Sequence, residues 1–331
     1  MMLQRKHFIV SLLAALVCGG ASAQAAAPDA QKQLAAERFT IVSPFPPGGP
    51  VDTLARVLSD GLAKRYGQAA VVENLVGAAG NIGIDKVKRA KGDGHTLLVV
   101  PAGNLTINPT LMPNFPFDIQ KDFVPVTMLA KAPNVLVASP SSGIKSAKEL
   151  VALAKAKPNT LSYASPGVGS GLHLAGELFK QQAGIDLLHV PYKGTAPALN
   201  DVLGGSVPLM FSNLPATMPF IKNGKLVALG VTEAARSPAA PDIPTLSEQG
   251  IQGVAVTSWY GLLAPKGTPP AVAEQLARDA AQMLAQPEVR ERLKAQGMSE
   301  ATMKPGEFAV YMRDETAMWA KIIKARNIVA E

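Results

Sequence analysis

Gly167-Val168-Gly169-Ser170-Gly171 is followed closely by His173 and Glu177, so hydroxyl, imidazole and carboxylate fall within one short stretch. Such a set suggests nucleotide binding, nucleophilic hydrolysis, metal ligation or anion capture. The third glycine of G-x-G-x-x-G is missing from either frame, and no Lys-Ser/Thr pair follows, so neither nucleotide motif is complete. No serine here has glycine two residues to each side, which removes the nucleophile elbow. A Ser/His/acid set assembled in space stays open. His173 and Glu177 stand one helical turn apart, but H-E-x-x-H is absent, and His95 and His189 have no obvious ligand neighbours in sequence. Structural or hydrogen-bonding histidine is the favoured reading, with neither metal nor cofactor expected. Two readings of the glycine-rich stretch remain: a flexible helix cap, or an anion cradle of N–H groups and the Ser165 and Ser170 hydroxyls.

Two other stretches have the same strand-turn-helix form. In Ile41-Val42-Ser43-Pro44-Phe45-Pro46-Pro47-Gly48-Gly49-Pro50-Val51-Asp52, prolines fix φ, and glycines permit approach that a Cβ would block. A helix is expected to start at Pro50 or Asp52, with its free N–H groups aimed at the turn. In Val190-Pro191-Tyr192-Lys193-Gly194-Thr195-Ala196-Pro197, Thr195 is the expected N-cap. Ordinary capping and ligand binding both fit each turn.

The elements that must position these turns alternate. Strands are expected at 39–42, 70–73, 96–100, 124–129, 134–138, 161–164, 187–190, 207–211 and 226–231. Helices are expected at 52–66, 146–157, 171–183 and 196–203, then at 270–285, 287–296 and 305–325, the last three each opening on proline. The alternation argues for an α/β chain with largely parallel sheets. Gly/Pro/Ser turns recur at 44–52, 77–83 and 101–109, and again at 165–171, 191–197 and 212–215. Two such domains facing each other would line a cleft with backbone amides at the carboxyl ends of their strands.

Residues 1–23 read as a secretory signal peptide: Arg5 and Lys6, an apolar run from Phe8 to Val17, and Ala21-Ser22-Ala23 before Gln24. Cleavage after Ala23 discards Cys18 and leaves 308 residues without cysteine, which suits the bacterial periplasm. The length suggests two domains at ~150 residues each. The formal charge of +7 falls to about +5 with Arg5 and Lys6 removed, and no basic block stands out, so no nucleic-acid partner is expected. A mild positive field suits anionic solutes.

Further residues resemble the Bug-type solute receptors, the periplasmic binding proteins of tripartite tricarboxylate transporters. The resemblance rests on Pro44–Asp52 with Arg56, Val72-Glu73-Asn74, Gly77–Gly83, Asp93-Gly94, Pro116-Phe117-Asp118, Tyr163–Gly167, His173–Phe179, Val190–Gly194, Pro241–Thr245 and Trp259–Pro265. Leu75-Val76 and His95 depart from the family pattern, which more often has a basic-plus-proline pair and a tyrosine there. The resemblance implies a two-domain, hinge-closing fold of the type II-like periplasmic-binding-protein class, with two crossover strands. Domain 1 would comprise 24–134 plus 258–331, and domain 2 would comprise 135–257. It further implies no catalysis, and a small carboxylate held through main-chain groups and bridging waters. The residues implied are Phe45, Pro47, Gly48, Gly49, Gly80, Asn81, Ala102, Gly103 and Asn104 in domain 1. In domain 2 they are Ser165, Gly167, Gly169, Ser170, Thr195, Ala196 and Asn213.

The expected partners are the carboxylate and membrane transporter subunits, with the receptor a monomer. A sensory protein presenting its ligand to a membrane kinase shares every cleft residue and remains the alternative. A periplasmic hydrolase is the distant one.

Overall fold

The computed structural model describes residues 26–112, 114–192, 194–237, 240–325 and 328. The expected signal peptide, 1–23, lies outside the described residues, as does Lys193. The first stretch of chain carries α1 (Ala26–Leu34), β1 (Phe39–Ser43), α2 (Pro50–Tyr66), β2 (Ala70–Asn74), α3 (Asn81–Lys88) and β3 (Thr96–Pro101). A π-helical segment, Gly103–Ile107, runs into α4 (Asn108–Leu111), followed by α5 (Ile119–Asp122) and β4 (Phe123–Ala132). The middle holds β5 (Asn134–Ala138), α6 (Ala147–Ala156), β6 (Ser162–Ser165), α7 (Gly171–Ala183), β7 (Leu188–Pro191), α8 (Thr195–Leu203), β8 (Leu209–Asn213), α9 (Leu214–Lys222) and β9 (Val227–Val231). The chain closes with β10 (Ser258–Pro265), α10 (Pro270–Leu284), α11 (Pro287–Ala295), β11 (Ser299–Glu300) and α12 (Pro305–Ala325).

Two sheets organise these elements. The first has six strands in the order β11-β4-β10-β3-β1-β2, and the second five in the order β7-β6-β8-β5-β9. The strands joined by crossover helices are parallel, as β1 is to β2 and β3, and β6 to β7 and β8. The expectation of largely parallel sheets needs correction where the chain changes sheet. β4 runs through Pro133 directly into β5, and β10 returns to the first sheet; all three pair antiparallel with their neighbours. A strand entering a sheet from outside has no crossover helix to impose parallel direction. Each sheet with its helices forms a lobe.

Valine, isoleucine and leucine fill both sheets because helices cover both faces. Ile41, Leu97, Val99 and Leu262 pack with α2 and α10 on one side of the first sheet, and Val42, Leu98 and Val100 with Trp259, Phe308 and Met312 on the other. The second lobe packs Tyr163, Phe179 and Phe211 on one side and Val135, Ala164 and Met210 on the other. Ile107, Leu111, Trp319 and Ile323 join the second lobe's core, although their neighbours in sequence pack in the first. Helix α12 therefore straps the two lobes together.

Expected and observed elements differ mainly at turns. The 101–109 turn is the π-helical segment and α4, and at 212–215 strand β8 passes straight into α9. Strand β10 and the helices α1 and α3 lie outside the elements expected from sequence. None of the helices among the described residues is long and apolar enough to cross a membrane.

Candidate functional site

At the rim of the first lobe, β1 delivers Pro44–Gly49 into α2. The helix begins at Pro50 with Gly49 as its N-cap. Buried Asp52 turns back on the loop: Oδ2 accepts the Gly48 N–H at 3.0 Å and Arg56 Nε at 2.9 Å, and Oδ1 accepts Asn74 Nδ2 at 3.0 Å. Burial raises the Asp52 carboxyl, but Arg56, the Gly48 N–H and Asn74 together hold it below its ordinary range. The Gly48 amide is thus engaged by the protein's own carboxylate. Asn74 Nδ2 also reaches the Phe45 carbonyl at 3.1 Å, which fixes the half-buried Phe45. Pro47 and Gly48 are exposed, Gly48 has φ +92°, and no atom lies within 4 Å of where a Cβ would stand on Gly48 or Gly49. The turn presents open backbone.

The neighbouring loop is more unusual. Gly77, Ala78, Ala79 and Gly80 run through φ of +137°, +46°, +55° and +95°, four left-handed residues in a row. Two are alanines, for which this region is disfavoured. A Cβ on Gly80 would meet Asn104 Nδ2 at 3.2 Å and Phe45 Cζ at 3.4 Å, so Phe45, Gly80 and Asn104 share one spot. Asn104 Nδ2 donates to the Ala79 carbonyl at 2.8 Å and pins the loop. Asn81 Oδ1 is buried without a partner, a group that elsewhere finds one.

The second lobe's rim is built on side chains. Ser170 caps α7: its Oγ accepts the His173 N–H at 3.1 Å and donates to the Gly167 carbonyl at 2.7 Å. Ser165 Oγ lies 2.7 Å from His189 Nε2 and accepts the Gly167 N–H at 3.2 Å. His173 Nδ1 accepts the Gly169 N–H at 3.3 Å. The hydroxyls expected to cradle an anion are therefore engaged inside their own loop. The Tyr192 and Gly194 N–H groups donate to the Ser165 and Pro166 carbonyls at 3.1 and 3.0 Å, joining this loop to the start of α8. Gly194 is the N-cap there and Thr195 the first helical residue, which corrects the expected cap. Thr195 is half-buried and Ala196 exposed.

Across the cleft the rims touch. A Cβ on Gly103 would lie 2.8 Å from the Gly169 carbonyl oxygen, and one on Gly169 would lie 2.7 Å from Asn108 Oδ1. Ala102 is half-buried beside them. Asn213 stands apart, where the chain crosses between lobes. Its Nδ2 donates to Asn134 Oδ1 at 2.8 Å and to Ser258 Oγ at 3.1 Å. Asn134 also receives Ser258 Oγ at 2.9 Å, donates Nδ2 to the Val256 carbonyl at 2.9 Å, and gives its backbone N–H to Glu233 Oε1 at 2.8 Å. Burial pushes the Glu233 carboxyl up to about 7. Asn134, Glu233 and Ser258 carry no sequence motif. Asn74 lies inside a quoted one, and its amide between two acceptors is the part sequence reasoning missed. Two cavities, of about 220 and 350 Å³, lie against α12, one lined by Leu105 and Pro109 and the other by Val256 and Thr257.

Ser165 and His189 form a hydroxyl–imidazole pair brought together by the fold. His189 is sandwiched between Tyr163, with centroids 5.0 Å apart, and His173, at 4.0 Å. Burial and then the neighbouring His173 push its pKa down to about 3, and burial takes His173 to about 4. Such imidazoles are neutral and weakly basic, far from what a general base needs near neutrality. The nearby acid, Glu177, is held by Tyr163 OH at 2.9 Å and Lys180 Nζ at 2.8 Å instead. Ser165 is fully buried. The arrangement fixes a loop and does not arm a nucleophile.

The sequence model described as tripartite tricarboxylate transporter family receptor matches residues 54–328. Protein BugT of Bordetella pertussis is 36% identical over 314 residues, covering 95% of this chain and 96% of its own. Among solved structures, R. palustris Rpa4515 with adipate superposes with a TM-score of 0.81 at 33% identity, over 89% of this chain and 99% of that one. MatC from Rhodopseudomonas palustris with bound malate gives 0.76 at 32% identity, over 87% and 99%.

Proposed function

Because the chain belongs to the tripartite tricarboxylate transporter receptor family, we infer that it captures a small organic carboxylate between its two lobes and delivers it to membrane transporter subunits. The observation that carries this reading is the meeting of two backbone-lined rims, Gly103 against Gly169, at a cleft whose one wall is Phe45, Gly80 and Asn104. The related structures solved with adipate and malate give the solute class.

The lobes divide at the crossover, with 24–134 plus 258–331 on one side and 135–257 on the other, α12 bridging to the second lobe through Trp319 and Ile323, and they swing about the Asn134–Asn213–Ser258 cluster. The ligand contacts are Phe45, Pro47, Gly48, Gly49, Gly80, Asn81, Ala102, Gly103 and Asn104 from one lobe. The other lobe supplies Gly167, Gly169, Thr195 and Ala196, with Ser165 and Ser170 holding that loop in shape rather than touching the ligand through their hydroxyls. Asn213 acts from the hinge. Backbone groups and bridging waters satisfy the carboxylate without a buried cationic side chain, whose desolvation costs several kcal/mol. Only a ligand with differential affinity for the closed form shifts the closure equilibrium. The receptor works as an exported monomer in the periplasm after cleavage behind Ala23, with no catalytic step.

Thermal unfolding of the mature protein against succinate, malate, adipate and their diamides tests this. An acid at ~100 times its Kd adds about 2.7 kcal/mol of stability, and its diamide adds none. Equal stabilisation by acid and diamide, or by none of a wider acid panel with mass spectrometry finding no retained ligand, contradicts the reading.

A further inference from the structure

Far from the cleft, the turn between α1 and β1 meets the entry to β3. Glu37, Asp93 and His95 converge there, with one ligand-type atom from each lying within 4.8 Å of the others. His95 is only 7% exposed, yet neither ring nitrogen has a hydrogen-bond partner. Nδ1 stands 3.2 Å from Asp93 Oδ1, close enough for charge pairing but off the angle of a hydrogen bond. Two donor atoms at that separation and without a hydrogen bond have nearly the spacing of two ligands that share one ion, which would sit to one side of the line joining them. Tetrahedral bonds of about 2.0–2.2 Å to one ion separate their ligands by about 3.3–3.6 Å.

We propose that Glu37, Asp93 and His95 form a binding site for a divalent transition-metal ion of the Zn²⁺ class, with water completing the coordination. One imidazole with two carboxylates suits Zn²⁺ better than Mg²⁺, which prefers an oxygen-only octahedron. The surroundings are already set. The His95 N–H donates to Asp93 Oδ1 at 3.0 Å, Gln33 Nε2 holds the Asp93 carbonyl at 2.9 Å, and the Thr40 N–H holds the His95 carbonyl at 2.7 Å. The Phe39 ring lies 5.3 Å from the imidazole. Lys91, 3.3 Å from Asp93 Oδ2, is 79% exposed and free to swing away. Glu37 is exposed and closes on the ion from the solvent side. A bound ion would staple the α1–β1 turn to the first sheet.

The test uses untagged mature protein stripped with chelator, and Zn²⁺ alone. One equivalent binds by titration calorimetry and raises the unfolding temperature, chelator reverses the rise, and equal Mg²⁺ gives none. His95→Phe keeps a ring against Phe39 and weakens Zn²⁺ binding about 100-fold or more. Glu37→Gln, on the surface, weakens it about 10-fold without moving the unfolding temperature of the metal-free protein. Anomalous scattering at the zinc edge places the ion among the three side chains. The proposal is overturned if wild type does not bind Zn²⁺, if Glu37→Gln binds as wild type does, or if the anomalous peak lies elsewhere.

Discussion

The two rims of the cleft reach a fixed shape by opposite means. The second lobe's loop, Ser165–Ser170, closes its hydrogen bonds through side chains: two serines, His173 and His189 occupy one another. The first lobe's loop, Gly77–Gly80, is held in four consecutive left-handed conformations, and Gly48–Gly49 opens on empty space. One wall's side chains bond to one another around their own loop, while the other's backbone is pinned from beneath by Asp52, Asn74 and Asn104 and leaves Pro47 and Gly48 exposed. Deleting side chains should therefore cost stability on the second rim. On the first, changes of backbone freedom should alter binding more than folding.

The largest effect on binding is expected where the rims meet. Gly103→Val puts its side chain against the Gly169 carbonyl and should weaken the best acid of the panel by about 2–3 kcal/mol, with little change in unfolding temperature. Calorimetry checks it, and undiminished affinity would mean that the rims need not touch.

Next comes the Asn134 cluster proposed as the hinge. The Glu233 carboxyl is raised from 4.5 to about 7 by burial. Below 4.5 it is neutral folded or unfolded, and between 4.5 and 7 only the unfolded chain releases the proton. Its contribution to stability is therefore full at low pH and is lost as pH rises to about 7, a fall of about 3 kcal/mol. Denaturant titration across that window shows the fall in wild type and its absence in Glu233→Gln.

Smaller effects separate the rims themselves. Ser170→Ala removes the α7 cap and should destabilise by about 1 kcal/mol in denaturant unfolding. Ala79→Gly relaxes a left-handed alanine and should stabilise by up to about 1 kcal/mol while loosening ligand binding. Destabilisation by Ala79→Gly would dissolve the contrast.

Much of the scaffold was legible because its signals are local. Gly171–Ala183, Asn134–Ala138 and Pro305–Ala325 have the bounds expected from periodicity, proline and glycine. The crossover strand β10 was missed because it is apolar throughout and has no alternating face to read. The pairing of Ser165 with His189, the Asn134 cluster and the Glu37–Asp93–His95 group were not legible either. Each joins residues that only the sheet order brings together. Asn213, which the resemblance names as a ligand contact, donates its amide to Asn134 and Ser258, a placement that no local motif signals.

Both rims are expected to close on a bound carboxylate. Small-angle scattering of the mature protein, with and without the acid that stabilises it most, tests this directly. Closure predicts that the radius of gyration falls at saturating acid to that of the present structure, in which Gly103 meets Gly169. An unchanged radius, with binding confirmed in the same sample, would contradict it.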